Sequence, residues 1–112
     1  MNDIIVVVTG GFDPLHSGHI AYFKEAKKLG NKLIVGINSD AWLTKKKGSP
    51  FLPFNERLEI VSNIDVVDEA IGFEDDELNS AADAISQTIQ RYPNNKIVFA
   101  NGGDRGSKNT PE

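Results

Sequence analysis

The sequence predicts an α/β fold, a three-layer sandwich whose helices cover a parallel sheet of strand order 3-2-1-4. Three observations lead there. Ile4 to Thr9 is an unbroken β-branched run, which suits a strand covered on both faces, as in a parallel sheet. Strand-like runs then alternate with helix-like periodicity, the pattern of βα repeats. Glycines and unusual polar residues follow the first and fourth strands, where an open sheet of this order binds ligands.

The first strand ends in Gly10-Gly11. Ile20, Phe23, Ala26 and Leu29 then recur every third residue, with Lys24, Glu25, Lys27 and Lys28 on the other face. That is an amphipathic helix, stopped by Gly30-Asn31. Leu33 to Ile37 is a second buried strand, closed by Asn38-Ser39-Asp40. Lys45 to Pro50 reads as a mobile loop, and Pro53 opens a short helix with Leu58, Ile60, Val61 and Ile64 as its apolar face. Val66 to Ile71 is a weaker strand, interrupted by Asp68 and Glu69 and so placed at a sheet edge. Ser80 with Asp83 resembles a capping box that starts a helix through Ala82, Ile85 and Ile89. Pro93-Asn94-Asn95 ends it, and Lys96 to Ala100 is the fourth strand. With the first strand central, the second and third lie to one side and the fourth to the other.

Composition narrows the function. At 112 residues the chain is one domain's worth, spanning 1–112, and 12 Lys and Arg against 16 Asp and Glu leave a net charge of −4. That balance argues against holding nucleic acid through a general basic surface. The longest apolar run, Ile4 to Val8, is far too short to cross a bilayer, and the start of the chain lacks the pattern of a signal peptide. No Cys is present, which excludes disulfides, thiolate catalysis and Cys-built metal centres. The expectation is a small cytoplasmic domain with no membrane or nucleic-acid partner.

The two His residues of the chain sit three apart, His16 and His19, between the first strand and the first helix. Both rings then face one side of a helical turn. Gly18 lets a ligand approach the backbone, and Ser17 is positioned to cap the helix. A helix N-terminus beside two imidazoles suits a phosphate, whereas zinc would want a third ligand.

The run Thr9-Gly10-Gly11-Phe12-Asp13-Pro14-Leu15-His16-Ser17-Gly18-His19 resembles the G-x-F-D-x-x-H-x-G-H signature of the cytidylyltransferase-like nucleotidyltransferases, a family with a Rossmann-like fold. The likeness extends to Asn38-Ser39-Asp40, the Lys-rich segment, Asn55-Glu56-Arg57 and Gly102-Gly103-Asp104. It implies transfer of CMP or AMP from CTP or ATP to a phosphorylated sugar or polyol, with release of pyrophosphate. An acceptor phosphate is already an anionic nucleophile at neutral pH, so such a reaction needs charge stabilisation and in-line positioning rather than a general base.

On that resemblance His16, His19, Lys46 and Lys47 carry the catalysis. Thr9, Gly10, Gly11, Phe12, Asp13, Gly18 and Asn101 to Asp104 (Asn101, Gly102, Gly103, Asp104) hold the nucleotide, and Asp40 and Arg57 the acceptor. Asp13 is expected to orient its loop or meet a bound cation, with Mg²⁺ held mainly by phosphates and water. Trp42 is either a packing residue or a lid. The resemblance also implies a homodimer formed around Val66 to Ile71.

Two features depart from the family pattern. Asp65 stands where the glycerol-phosphate branch places an Arg, and Lys47-Gly48 with Gly102-Gly103-Asp104 is closer to the branch acting on sugar phosphates, including ATP-using heptose enzymes. Gly106 to Thr110 comes too early to be the family's Ser/Thr-rich triphosphate segment, so the expectation is either a fragment or a minimal variant with an incomplete nucleotide pocket. The competing expectation is a truncated module that holds nucleotide without turnover. A fragment of an aminoacyl-tRNA synthetase, which has a related turn, is disfavoured by length and charge.

Overall fold

A computed structural model describes residues 3–73 and 82–100. The elements run β1 (Ile4–Gly10), α1 (Ser17–Lys27), β2 (Lys32–Ile37), α2 (Asp40–Lys47), α3 (Phe54–Ser62), β3 (Glu69–Gly72), α4 (Ala82–Arg91) and β4 (Lys96–Phe99). The four strands are parallel in the order β3-β2-β1-β4, as the sequence predicts. Val6 pairs with Leu33, Val8 with Val35 and Ile5 with Ile97, while Gly36 pairs with Ile71.

Alternation along these strands feeds two separate cores. Val6, Val8, Leu33, Val35 and Ile37 pack with Phe12, with Phe23 and Ala26 of α1, and with Val61 of α3. Ile5, Ile34 and Ile71 face the opposite way, as do Val7 with Phe73 and Ala84 of α4. Because β1 and β2 are covered on both sides, their sequences carry no polar alternation. Each fully buried Val or Ile contributes roughly 1.5–3 kcal/mol relative to exposure, so the two central strands anchor the fold.

The structure departs from the sequence reading at several points. Lys45, Lys46 and Lys47 form the last turn of a helix instead of a mobile loop. Ser39 starts α2, its hydroxyl accepting from the Trp42 amide at 3.1 Å, and Gly48 ends it at φ 97°. Lysines there complement the helix dipole. The N-cap of α1 is His16 rather than Ser17, and Leu29 lies beyond the helix, 54% exposed.

Strand β3 begins only at Glu69. Asp68 is diverted: its carboxylate accepts from the Leu33 amide at 2.7 Å and pairs with Lys27 at 2.6 Å. Val67 is still buried, as a turn residue. On α4 the buried residues are Ala84 and Thr88, while Ile89 is 49% exposed. Ser80, the expected cap, lies outside the described residues.

Gly36 explains the choice of small residues on α4. A Cβ at Gly36 would lie 3.1 Å from the Thr9 methyl, 3.2 Å from the Ala84 methyl and 3.2 Å from the Phe73 ring. The helix therefore approaches the sheet where the sheet has no side chain, and a bulky Ile facing it would not fit. Gly36→Val is expected to destabilise the fold by about 1–3 kcal/mol through overpacking. Thermal melts read this as a drop of at least ~4 °C.

Candidate functional site

The site begins where β1 leaves the sheet. Phe12 adopts a left-handed backbone with φ 53°, a conformation that costs an ordinary residue about 1–2 kcal/mol. That conformation folds its ring back over Gly10 and buries it to 5% exposure. There the ring makes edge contacts with His19, at a centroid distance of 5.1 Å, and with Phe23, at 5.2 Å.

His16 and His19 cap α1 reciprocally. The Nδ1 of His16 accepts from the Gly18 amide at 3.0 Å, and the Nδ1 of His19 accepts from the His16 amide at 3.1 Å. This is a capping box built from imidazoles. A Cβ at residue 18 would come within 2.8 Å of the His16 ring, so the glycine is what allows that ring to lie over the helix start. The two rings stack at 3.9 Å and 26°. With each Nδ1 acting as an acceptor, each neutral ring carries its proton on Nε2. Both Nε2–H groups are left for a ligand at the positive end of a helix. Burial, with a smaller contribution from the charge of His16, holds the imidazole of His19 below its usual 6.5, which keeps it a neutral donor.

Asp13 ties the same turn to a second segment. Its carboxylate accepts from the amides of Phe51 and Leu52 at 2.5 and 2.6 Å and pairs with Lys47 at 2.8 Å, with its side chain only 2% exposed. Burial opposes ionisation, but the Lys47 hydrogen bond and the two amides outweigh it and hold the carboxyl below its usual range. Lys47 also donates to the Asp13 carbonyl at 3.1 Å. Lys46 instead lies over the ring of Trp42, 5.0 Å from its centroid.

Arg57 sits beneath these segments with no exposed surface. Its Nε donates to the Leu52 carbonyl at 3.0 Å, and its Nη1 to the carbonyls of Gly11 and Asn38 at 3.0 and 2.7 Å. Its Nη2 pairs with Asp40 at 2.6 Å. One guanidinium thus joins the ends of β1 and β2, the 48–52 loop and the start of α2.

The residues expected to serve together therefore form two groups. Gly10, Gly11, Phe12, Asp13, His16, Gly18 and His19 are contiguous in the β1–α1 turn, with Lys47 attached through Asp13. Thr9, at the end of β1, lies beside the packing of α4 against the sheet at Gly36. Asp40 and Arg57 form the second group, joined to the first through the Gly11 carbonyl. Trp42 packs toward Gly11 beside Leu43. Asn101, Gly102, Gly103 and Asp104 lie outside the described residues. Sequence reasoning missed the Phe51 and Leu52 amides, which have no residue-type signature, and the polar pair Asp83 and Gln87 beside Asp40.

A parallel sheet with a His-x-Gly-His turn at its central strand end defines a nucleotidyltransferase-type domain. The chain belongs to the cytidylyltransferase-like family, whose model matches residues 7–108. It is 37% identical to the bifunctional protein HldE of Erwinia tasmaniensis and 33% identical to that of Escherichia coli, each alignment covering 89% of this chain. The chain spans only 23% of the length of these curated relatives. The crystal structure of a lipopolysaccharide core biosynthesis protein from Thermoplasma volcanium superposes with a TM-score of 0.68 at 28% identity, covering 91% of this chain and 98% of that one.

Two expectations follow from this geometry. The folded chain holds a proton on His19 less tightly than the unfolded chain, whose imidazole titrates near 6.5. The associated stability is therefore complete above about pH 6.5 and declines as the pH falls. An NMR titration should place the His19 midpoint below that of an unfolded-state peptide. Arg57→Met should cost at least ~3 kcal/mol, because one buried and two part-buried carbonyls and a carboxylate lose their donor, and chemical denaturation measures that loss.

Proposed function

We propose that this domain transfers a nucleotidyl group, AMP in the first instance, from a nucleoside triphosphate to a phosphorylated sugar or polyol. The observation that carries this reading is the stacked His16–His19 pair, whose Nε2–H donors share the N-terminus of α1 with the amides of the turn. The resemblance to the branch that includes ATP-using heptose enzymes favours ATP over CTP. The Lys47-Gly48 step points the same way, toward the sugar-phosphate branch.

In this reading an oxygen of the acceptor phosphate attacks the α-phosphorus in line with the leaving group. The bond from the α-phosphorus to the bridging oxygen breaks, and pyrophosphate carries away the electron pair. No proton has to be removed from the nucleophile. His16 and His19 donate Nε2–H bonds to the oxygens where negative charge grows, which is where preorganised donors have most effect. Lys47 supplies a fixed positive charge near the phosphate path, oriented by Asp13. Asp13 itself has both oxygens engaged by Phe51, Leu52 and Lys47, which fits Mg²⁺ being held mainly by phosphates and water. When bound, the cation neutralises triphosphate charge.

His16→Asn separates catalysis from folding. The Asn carbonyl still caps α1, so stability should stay within about 1 kcal/mol of wild type. The Nε2 donor is gone, and pyrophosphate release should fall by roughly 10²–10³-fold. A coupled pyrophosphate assay with ATP·Mg or CTP·Mg and a sugar 1-phosphate tests this. Nucleotide binding without release in wild type would replace the enzyme reading with that of a binding module.

A further inference from the structure

Trp42 and Lys46 stand four residues apart on α2, in the row beside Leu43 and Lys47. Leu43 is buried and Lys47 is bound to Asp13, so that inner row docks the helix on the β1–α1 turn. Trp42 is half-buried, with its ring edge 3.8 Å from where a Cβ at Gly11 would lie. Lys46 is exposed, and its Nζ lies over that ring, 5.0 Å from the centroid. We infer that Trp42 is a positioning residue, whose indole holds the Lys46 ammonium beside the β1–α1 turn as the uncancelled charge that meets the triphosphate. The inference rests on the nucleotidyltransferase reading and adds to it the residue that readies this charge.

The other basic groups of the site arrive neutralised. Lys47 pairs with Asp13 at 2.8 Å and Arg57 with Asp40 at 2.6 Å. His16 and His19 are neutral donors in the tautomer that their caps select. Lys45 follows Ala41, on the face of α2 turned away from Leu43 and Lys47. Among the described residues Lys46 makes no ion pair and no hydrogen bond to protein. Its charge is therefore uncancelled, and its three N–H groups are open. A triphosphate keeps net negative charge even with Mg²⁺ bound, so a cation of this kind is what the neutral pairs leave wanting.

An aromatic ring suits this task better than a carboxylate would. The face of an indole attracts an ammonium through its quadrupole but brings no negative charge to cancel it. Asp13 shows the contrast, since it holds Lys47 and neutralises it together. The ring covers only one side of the ammonium, so phosphate oxygens can take its N–H groups while the ring contact persists. A lysine on a flexible four-carbon stem otherwise has to be ordered when ligand binds. Contact with the indole does part of that ordering beforehand, which tightens binding without a new contact to the ligand.

The fold fixes where this happens. The Ser39 hydroxyl accepts from the Trp42 amide at 3.1 Å and sets the start of α2. Asp13 holds the last turn through Lys47. Pinned at both ends, the helix keeps the Trp42 ring against Gly11, which follows β1 at the strand ends where such sheets bind ligands.

Calorimetric titration with ATP·Mg and CTP·Mg, run on variants first melted to confirm folding, tests the assignment with whichever nucleotide wild type binds. Lys46→Met should weaken binding roughly tenfold, through loss of a charge-assisted contact. Trp42→Leu should weaken it roughly threefold, and Trp42→Phe, which keeps a ring, should restore most of that loss. In the Lys46→Met chain the Trp42→Leu change should have no further effect, because the indole acts through the ammonium. Undiminished weakening by Trp42→Leu in the Lys46→Met chain overturns the assignment, as does full affinity in Trp42→Leu. Trp42 is the one tryptophan of the chain, so its emission supplies a readout that leaves residue 42 intact. The nucleotide should change that emission in wild type and in Lys46→Arg, and far less in Lys46→Met. No change in wild type, or an equal change in Lys46→Met, overturns the assignment. All these results leave the nucleotidyltransferase reading standing. Failure of wild type to bind either nucleotide overturns that reading, and the assignment with it.

Discussion

The buried guanidinium of Arg57 is the tie on which the rest of the site depends. Strand ends in a parallel sheet present carbonyls that no neighbouring strand satisfies, and a polar group buried without a partner is expensive. Here one side chain takes the carbonyls of Gly11, Asn38 and Leu52 together, and balances its charge against Asp40. Removing any of these partners would leave a buried cation undersatisfied. The loops are held together as a unit, and their mutual positions are set before a ligand arrives.

A second local economy operates in the β1–α1 turn. Helix starts are usually capped by Ser, Thr, Asp or Asn, yet this one is capped by the imidazoles of His16 and His19. Spending Nδ1 on the backbone selects the tautomer and aims Nε2 outward. Phe12, bent into the left-handed region, backs His19 with its ring. The strain in Phe12 is offset by its burial against Phe23 and the core. Asp13 works likewise on Lys47, so three donor-bearing side chains, His16, His19 and Lys47, are ordered by protein contacts alone.

How much of this was legible depends on the kind of signal involved. The unbroken run of Ile4 to Val8 and the shorter run of Leu33 to Ile37 announced strands buried on both faces, and the glycine-flanked His pair announced the turn. Helix α2 was hidden because its last turn is all lysine, a pattern that solvated loops share. The buried face of α4 was misread because Ile85 and Ile89 carry the stronger apolar periodicity. What decides the face is Gly36, far away in the chain, against which the small side chain of Ala84 packs at close range. The burial of Arg57 was equally out of reach, since it is determined by three carbonyls whose residue types carry no information about it.

One contact at the opposite edge of the sheet bears on how firmly the His turn is held. Tyr22 of α1 donates its hydroxyl to the Ala100 carbonyl at 3.0 Å, just past the end of β4. The end of β4 is therefore fastened to the helix that carries His16 and His19. Tyr22 lies less than two helical turns from both His16 and His19. The end of β4 and the start of α1 are thereby kept in register with one another.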